Sequence, residues 1–307
     1  MRGARPIVMA AVPAAAVLAW SSHRRTVREL EGHAAVPPAL TGTVCTLATS
    51  WGRLSYRLVE GSEPGPPLVL VHGWGRTADS AWWPLLGRSS QTLLAVDLPG
   101  HGRSLLDRPF TFELAAETVL AAIEHAGLER PVLVGHSMGG PIALTAVRTA
   151  GSGAFTALAA LATSAYWVSA RHRVVLAAAP YILAPRSPVL VRSQRAEARR
   201  APQEATRIAW EYALRPARRV LVEAAMELRR FDARRWHDLD LPPTAWVVAT
   251  RDGVIDPVHQ RASAAHLGAS VVEVPTEHSI VIEAPAAVER ILRAVCVRPS
   301  GPLLVAV

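Results

Sequence analysis

Short apolar runs punctuate the chain from about residue 54 onward, and between them apolar positions recur at helical spacing. Leu68–Val71, Thr92–Val96 and Val132–Val134 are runs of the first kind, as are Ala157–Leu161, Ala245–Thr250 and Ser270–Val274. A strand covered on both faces reads this way, because both rows of its side chains need apolar neighbours. Leu54–Glu60 alternates in places and predicts another strand, followed by a Gly/Pro-rich turn at Gly61–Pro67. Ala115, Val119, Ala122, Ile123 and Ala126 form the stripe of an amphipathic helix, and Gly127 stops it. Val258–Leu267 and Pro285–Val297 predict further helices. Strands alternating with helices predict an α/β fold with a mostly parallel central sheet and crossover helices.

Two segments break this rhythm. Residues 165–235 are long, rich in Ala and Arg, and cut by Pro180, Pro185, Pro188, Pro202 and Pro216. They predict several short helices inserted between two strands. Val174–Leu183 within them is strongly apolar, as the inner side of a lid would be. The other exception is the start of the chain, where Ile7–Trp20 is apolar apart from Pro13 and follows Arg2 and Arg5. This run is short for a bilayer span, which needs about 20 residues, but it suits a signal-peptide core. His23, Arg24, Arg25 and Arg28 follow it and resist translocation. The expectation is a membrane-associated or exported protein held through residues 7–20, with a cytoplasmic enzyme carrying a hydrophobic arm as the alternative. The predicted organisation is a targeting segment and linker (1–40), a first core part (41–163), a helical cap (164–235) and a second core part (236–307).

Composition narrows the chemistry. All 33 Lys+Arg residues are Arg, and Lys is absent. This excludes a Schiff base, a P-loop lysine and a Ser-Lys dyad. Cys45 and Cys296 are too few for a disulfide framework, and no Cys/His cluster suggests zinc. A net charge of +8 raises the question of nucleic acid. The surplus, however, sits in residues 164–235, with 15 Arg against 6 acids. Acids stand at helical spacing from many of these Arg residues, as in Arg200/Glu204, Glu211/Arg215 and Arg219/Glu223. No aromatic platforms interleave them. A solvated cap face is the better reading, with no nucleic-acid partner, and that face is expected to lie against a membrane if the N-terminal segment anchors there.

The chemistry-bearing motif is Val132-Leu133-Val134-Gly135-His136-Ser137-Met138-Gly139-Gly140: a strand, a Gly-x-Ser-x-Gly turn and a helix start, continued by the apolar Pro141–Val147. A serine on so tight a turn is lifted above the sheet edge, and the flanking glycines let strand and helix approach closely. His72-Gly73-Trp74-Gly75 directly follows a buried strand, and Asp97-Leu98-Pro99-Gly100-His101-Gly102-Arg103-Ser104 follows the next. With these motifs the chain resembles the α/β-hydrolase-fold serine hydrolases, from about residue 51 to 298 without the insertion. The resemblance implies oxyanion donors at the Trp74 and Met138 amides, with His72, Gly73 and His136 lining the substrate site. The Asp97–Ser104 loop is expected to organise its own turn.

A serine hydroxyl needs a base to take its proton and an acid to orient that base. The family order is Ser, acid, His. Downstream of Ser137 stand His172, His237, His259, His266 and His278. His278 lies in a short loop after the strand Ser270–Val274, where the family places its base. Asp252 and Asp256 both follow the strand Ala245–Thr250; Asp252, at the strand end, is the first choice and Asp256 the alternative. The stretch from Asp252 to Pro257 is one residue longer than the family's usual turn. The implied function is cleavage of a small-molecule ester, as by an esterase or lipase, with no metal or organic cofactor. An acyltransferase, thioesterase or cofactor-free perhydrolase would use the same triad, and a non-catalytic binding protein is the reading from another class. Trp74, Trp82, Trp83, Trp167 and Trp210 serve either as walls of an apolar acyl pocket or as ordinary core.

Overall fold

A computed structural model of the chain describes residues 40–166 and 216–297, with isolated positions 21, 24, 174, 176–178, 181, 187–188 and 191–192. Nine strands in the described residues form one sheet: β1 (Thr43–Thr49), β2 (Gly52–Val59), β3 (Leu68–Val71), β4 (Leu93–Asp97), β5 (Leu105–Leu106), β6 (Val132–His136), β7 (Ala157–Leu161), β8 (Thr244–Ala249) and β9 (Ser270–Val274). The order is β1-β2-β4-β3-β6-β7-β8-β9, with the short β5 paired to β2. From β4 to β9 all neighbours are parallel; β1 and β2 run antiparallel at one edge. The helices are α1 (Ala78–Leu86), α2 (Phe112–His125), α3 (Gly139–Ala150), α4 (Arg218–Arg230), α5 (Pro257–His266), α6 (Ile280–Glu283) and α7 (Pro285–Val297).

The two-residue repeat of the strands divides the core. Leu68, Leu70, Val132, Val134 and Val247 face α1 and α7, where Trp82, Leu85, Ile291 and Leu292 meet them. Val69, Val71, Leu133 and Val248 face the other way, onto Val119, Ala122, Ile142 and Val147 from α2 and α3. Both rows of these central strands are buried, so their sequences are continuously apolar. Each parallel strand ends on the same edge, and the loops leaving that edge bring distant parts of the chain together.

The insertion leaves the sheet after β7 and returns before β8. Residues 167–215, including Trp167 and Trp210, lie outside the described residues apart from the isolated positions. Among those positions Leu176 is buried, whereas Val174 and Tyr181 are exposed. At its neck, Tyr166 and Asp232 form an antiparallel bridge and the Ala233 amide donates to the Ala165 carbonyl at 2.9 Å. From there α4 packs back on the core. Its Glu223 and Glu227, one turn apart, accept from the amides of Phe110 and Phe112 at the start of α2. The Trp74 indole N–H donates to the Leu221 carbonyl at 3.1 Å.

One expectation needs correcting. Among the described residues no helix is long and apolar enough to cross a membrane. A membrane-spanning N-terminal segment is therefore not supported, which corrects the expectation of a protein held at a membrane through residues 7–20. Residues 7–20 themselves lie outside the described residues.

A buried ion cluster ties the antiparallel edge to α1. Arg57 on β2 holds Asp79 in a two-pronged pair (Nε–Oδ1 2.7 Å, Nη2–Oδ2 3.0 Å), and Arg103 reaches the same carboxylate at 2.8 Å. Burial pushes the Asp79 carboxyl up, but the hydrogen bonds and charges of Arg57 and Arg103 outweigh it and hold its pKa below the usual value. Removing one member of such a pair strands a buried charge. Asp79→Ala is expected to destabilise the fold by about 3–5 kcal/mol, whereas Arg103→Ala, at a half-exposed position, costs much less; urea unfolding of both variants measures the difference.

Candidate active site

Strand β6 turns into helix α3 at Ser137, whose φ is 54°. A non-glycine residue reaches this left-handed region only at a cost of about 1–3 kcal/mol, so its surroundings must hold it there. They do so through both ends of its peptide. The Ser137 amide donates to Leu161 at 3.0 Å, and its carbonyl accepts from Gly140 N–H at 2.9 Å and from Thr163 Oγ1 at 2.6 Å. Space is equally tight. A Cβ on Gly135 would run into the Gly139 carbonyl, and one on Gly139 into the carbonyl of Val71. Strand, elbow and helix therefore close on one another as the two glycines of the motif require.

His278 comes from the loop between β9 and α6, and Asp252 from the loop after β8. His278 Nε2 stands 2.9 Å from Ser137 Oγ, and its Nδ1 stands 2.8 Å from Asp252 Oδ2. The carboxylate can only accept, so Nδ1 carries the proton and Nε2 is left to accept from the serine hydroxyl. Asp252 is buried and held firmly: Val254 and Ile255 amides donate to Oδ1 at 2.7 and 2.9 Å, and Gln260 Nε2 donates to Oδ2 at 2.9 Å. Asp256 is elsewhere, capping α5 by accepting from the Val258 amide. His259 and His266 lie on α5, His237 is exposed, and His172 lies outside the described residues.

The remaining predicted positions divide. Met138 directly follows the serine and starts α3, so its amide sits at the positive end of that helix. Gly73 presses against the elbow: a Cβ there would stand 3.1 Å from Ser137 Cβ, which puts the Trp74 peptide beside the serine. His136 is turned toward His278, donating from Nε2 to its carbonyl at 2.9 Å, with the two rings 5.3 Å apart. His72 departs from the expectation that it lines a substrate site. It is fully buried; Nδ1 donates to the Gly73 carbonyl at 2.9 Å, and Nε2 accepts from the Leu98 amide at 3.1 Å. It pins the Gly73 loop to the end of β4. In the Asp97–Ser104 loop, Asp97 accepts from the amides of Ala78 and Arg103, and His101 Nδ1 donates to the Pro99 carbonyl. Trp82 is core, edge-on to His136. Gln260 was missed in the sequence, because a lone glutamine on a helix carries no signal of its partners.

Comparison with known proteins decides the lineage. Residues 68–291 match the alpha/beta hydrolase family. The chain belongs to the alpha/beta hydrolase family. Among solved structures, this hydrolase-fold chain is similar to a hydrolase from Pseudomonas aeruginosa PA01 (25% identity, TM-score 0.66, covering 81% of this chain and 96% of that one). It also superposes on a thermophilic esterase from Thermogutta terrifontis (21% identity, TM-score 0.67, 84% of this chain and 100% of that one), a likeness of fold. Among curated sequences it is 43% identical over 97 residues to the dihydrolipoyllysine-residue acetyltransferase component of an acetoin cleaving system from Pseudomonas putida, covering 30% of this chain and 26% of that protein. It is 38% identical over 103 residues to an sn-1-specific diacylglycerol lipase from Xenopus tropicalis, covering 33% of this chain and 32% of the lipase. The match thus spans between a quarter and a third of these relatives' length.

Three buried imidazoles of this alpha/beta hydrolase make its stability depend on acidity. Burial lowers the His72 pKa well below 6.5, with the neighbouring His101 adding to the effect. Burial takes His101 down to about 4, and burial with the nearby His278 takes His136 down to about 3. In the unfolded chain each titrates near 6.5, so below that pH the unfolded state binds more protons and each histidine removes stability at about 1.4 kcal/mol per pH unit. Asp97 works the other way. Burial raises it to about 6, so between pH 3.8 and 6 the folded carboxyl keeps a proton that the unfolded one has released. Together these four groups are expected to remove at most about 3 kcal/mol per pH unit between pH 6 and 4, read from urea unfolding across that range. His101→Asn should reduce the slope by about 1.4 kcal/mol per unit; an unchanged slope would show that His101 is not neutral in the fold.

Proposed function

We propose that this chain is a serine hydrolase that cleaves carboxylic esters of small or hydrophobic molecules through an acyl-enzyme on Ser137. The observation that carries this reading is the unbroken chain of contacts from Ser137 Oγ through His278 to Asp252, at 2.9 and 2.8 Å, on a serine held at φ 54°. Membership of the alpha/beta hydrolase family supports it, and so do relatives described as a diacylglycerol lipase and a methyl ester esterase.

Ser137 Oγ attacks the ester carbonyl carbon while its proton passes to His278 Nε2. The carbonyl oxygen becomes an oxyanion, for which the Trp74 and Met138 amides are the donors in this reading. Asp252 orients the ring and stabilises the imidazolium. The carbon–oxygen bond to the alcohol then breaks, and the proton on Nε2 goes to the leaving alkoxide. Water, giving its proton to the same nitrogen, attacks the acyl carbon and releases the acid and the free serine. Each step uses the chain's own groups and water.

One observation favours a second reading. The relative at 43% identity is named as an acetyltransferase component, and an acyl-enzyme can pass its acyl group to an alcohol or thiol in place of water.

A fluorophosphonate probe is expected to label the protein, and Ser137→Ala to abolish the label; labelling that survives this change overturns the assignment. On a p-nitrophenyl ester panel of graded chain length, His278→Ala removes turnover, and Asp252→Asn lowers kcat by about 10⁴-fold while Asp256→Asn leaves it near the starting value. Prompt acylation with slow release, accelerated by an added alcohol or thiol, selects acyl transfer over hydrolysis.

A further inference from the structure

Gln260 lies on α5 at the second turn, is fully buried, and uses every polar atom of its side chain. Nε2 donates to Asp252 Oδ2 at 2.9 Å and to the Ile255 carbonyl at 2.8 Å, and Oε1 accepts from the Ala249 amide at 3.1 Å. The orientation of the amide is settled by its partners, since a carboxylate and a carbonyl demand the nitrogen and an N–H demands the oxygen. Both backbone donors to Asp252 act on Oδ1. Oδ2, the oxygen that faces His278, has two side-chain partners: His278 Nδ1 and Gln260 Nε2.

Resting on the serine-hydrolase reading above, we propose that Gln260 is a positioning residue of the reaction: it fixes the rotation of the Asp252 carboxylate so that Oδ2 faces His278 Nδ1. With Oδ1 alone anchored, the carboxylate can pivot and carry Oδ2 out of line with the imidazole. Gln260 removes that freedom and ties the setting of the acid to both ends of its loop, Ala249 at the end of β8 and Ile255 just before α5. Geometry of this kind is costly to lose, because a misplacement of about 1 Å at a catalytic group costs about 100-fold in rate. Asp252 and His278 are titratable groups of the cluster, and the buried His136 packs against His278; Arg261, next on the helix, is turned outward to Glu273.

Two variants test this with p-nitrophenyl acetate. Gln260→Met keeps the volume and removes the donor; kcat is expected to fall about 10- to 100-fold with KM within about twofold. Gln260→Glu keeps the acceptor for Ala249 but sets a second carboxyl against Asp252. Two carboxyls so close share a proton. The shared proton supplies the missing donor at low pH, so kcat/KM of this variant falls with rising pH through a titration that the parent protein lacks. A purely structural glutamine predicts lower stability with kcat and pH profile unchanged, and that result in correctly folded variants overturns the proposal. If Gln260→Met does not fold, the pH profile of Gln260→Glu decides alone. Fluorophosphonate labelling of the parent at Ser137 separates the two levels: unaltered variants of a labelled protein sink the Gln260 role only, whereas an unlabelled parent sinks both.

Discussion

A strand must become a helix within two residues at Ser137, and much else in the molecule answers to that constraint. The turn forces a left-handed backbone on a residue that disfavours it. It leaves no room for side chains at Gly135 or Gly139, since the second of these already lies against the Val71 carbonyl of the neighbouring strand. The close approach brings the Gly73 loop onto the serine, and Thr163, leaving β7, closes the other side by donating to the Ser137 carbonyl. Three successive strands of the sheet, β3, β6 and β7, thus converge on one peptide. The serine is placed precisely because the sheet register beneath it is precise.

Burial decides the charge of the histidines around this point. The imidazoles of His72, His101 and His136 are buried with their donors directed at backbone carbonyls. Burial keeps them neutral, which places uncharged, shape-specific hydrogen bonds next to the serine. Arg57 and Asp79 are buried with their charges, and each has the other as its partner.

How much of this could be read from the sequence depended on whether a residue's partners are local. Strands β3, β4, β6 and β7 were legible because their burial on both faces leaves a continuous apolar run. β1 was not, since it is an edge strand of half-exposed, mixed residues whose pairing with β2 is its main cause. α1 was hidden by Pro84 inside it, although Thr77 and Ser80 form a reciprocal cap at its start. The elbow motif and the strand-end positions of Asp252 and His278 singled out three residues from distant parts of the chain. The ambiguity between Asp252 and Asp256 came from an extra residue in the loop, and side-chain direction alone separates them: one faces His278, the other caps α5. His72 was misread for the same reason. Its place beside the oxyanion loop is evident from the motif, but that both of its nitrogens are spent inside the fold is not.

The bridge between Tyr166 and Asp232 has a bearing on how such a chain can diversify. With Ala165 and Ala233 hydrogen-bonded, everything between them is a closed loop whose two feet stand side by side. Closing a loop of doubled length costs only about 0.6 kcal/mol more. The neck therefore insulates the sheet from the length of what it carries, and β7 and β8 keep their pairing whatever is spliced between them. Selection can rewrite the segment between the two feet while the sheet inherits unchanged coordinates.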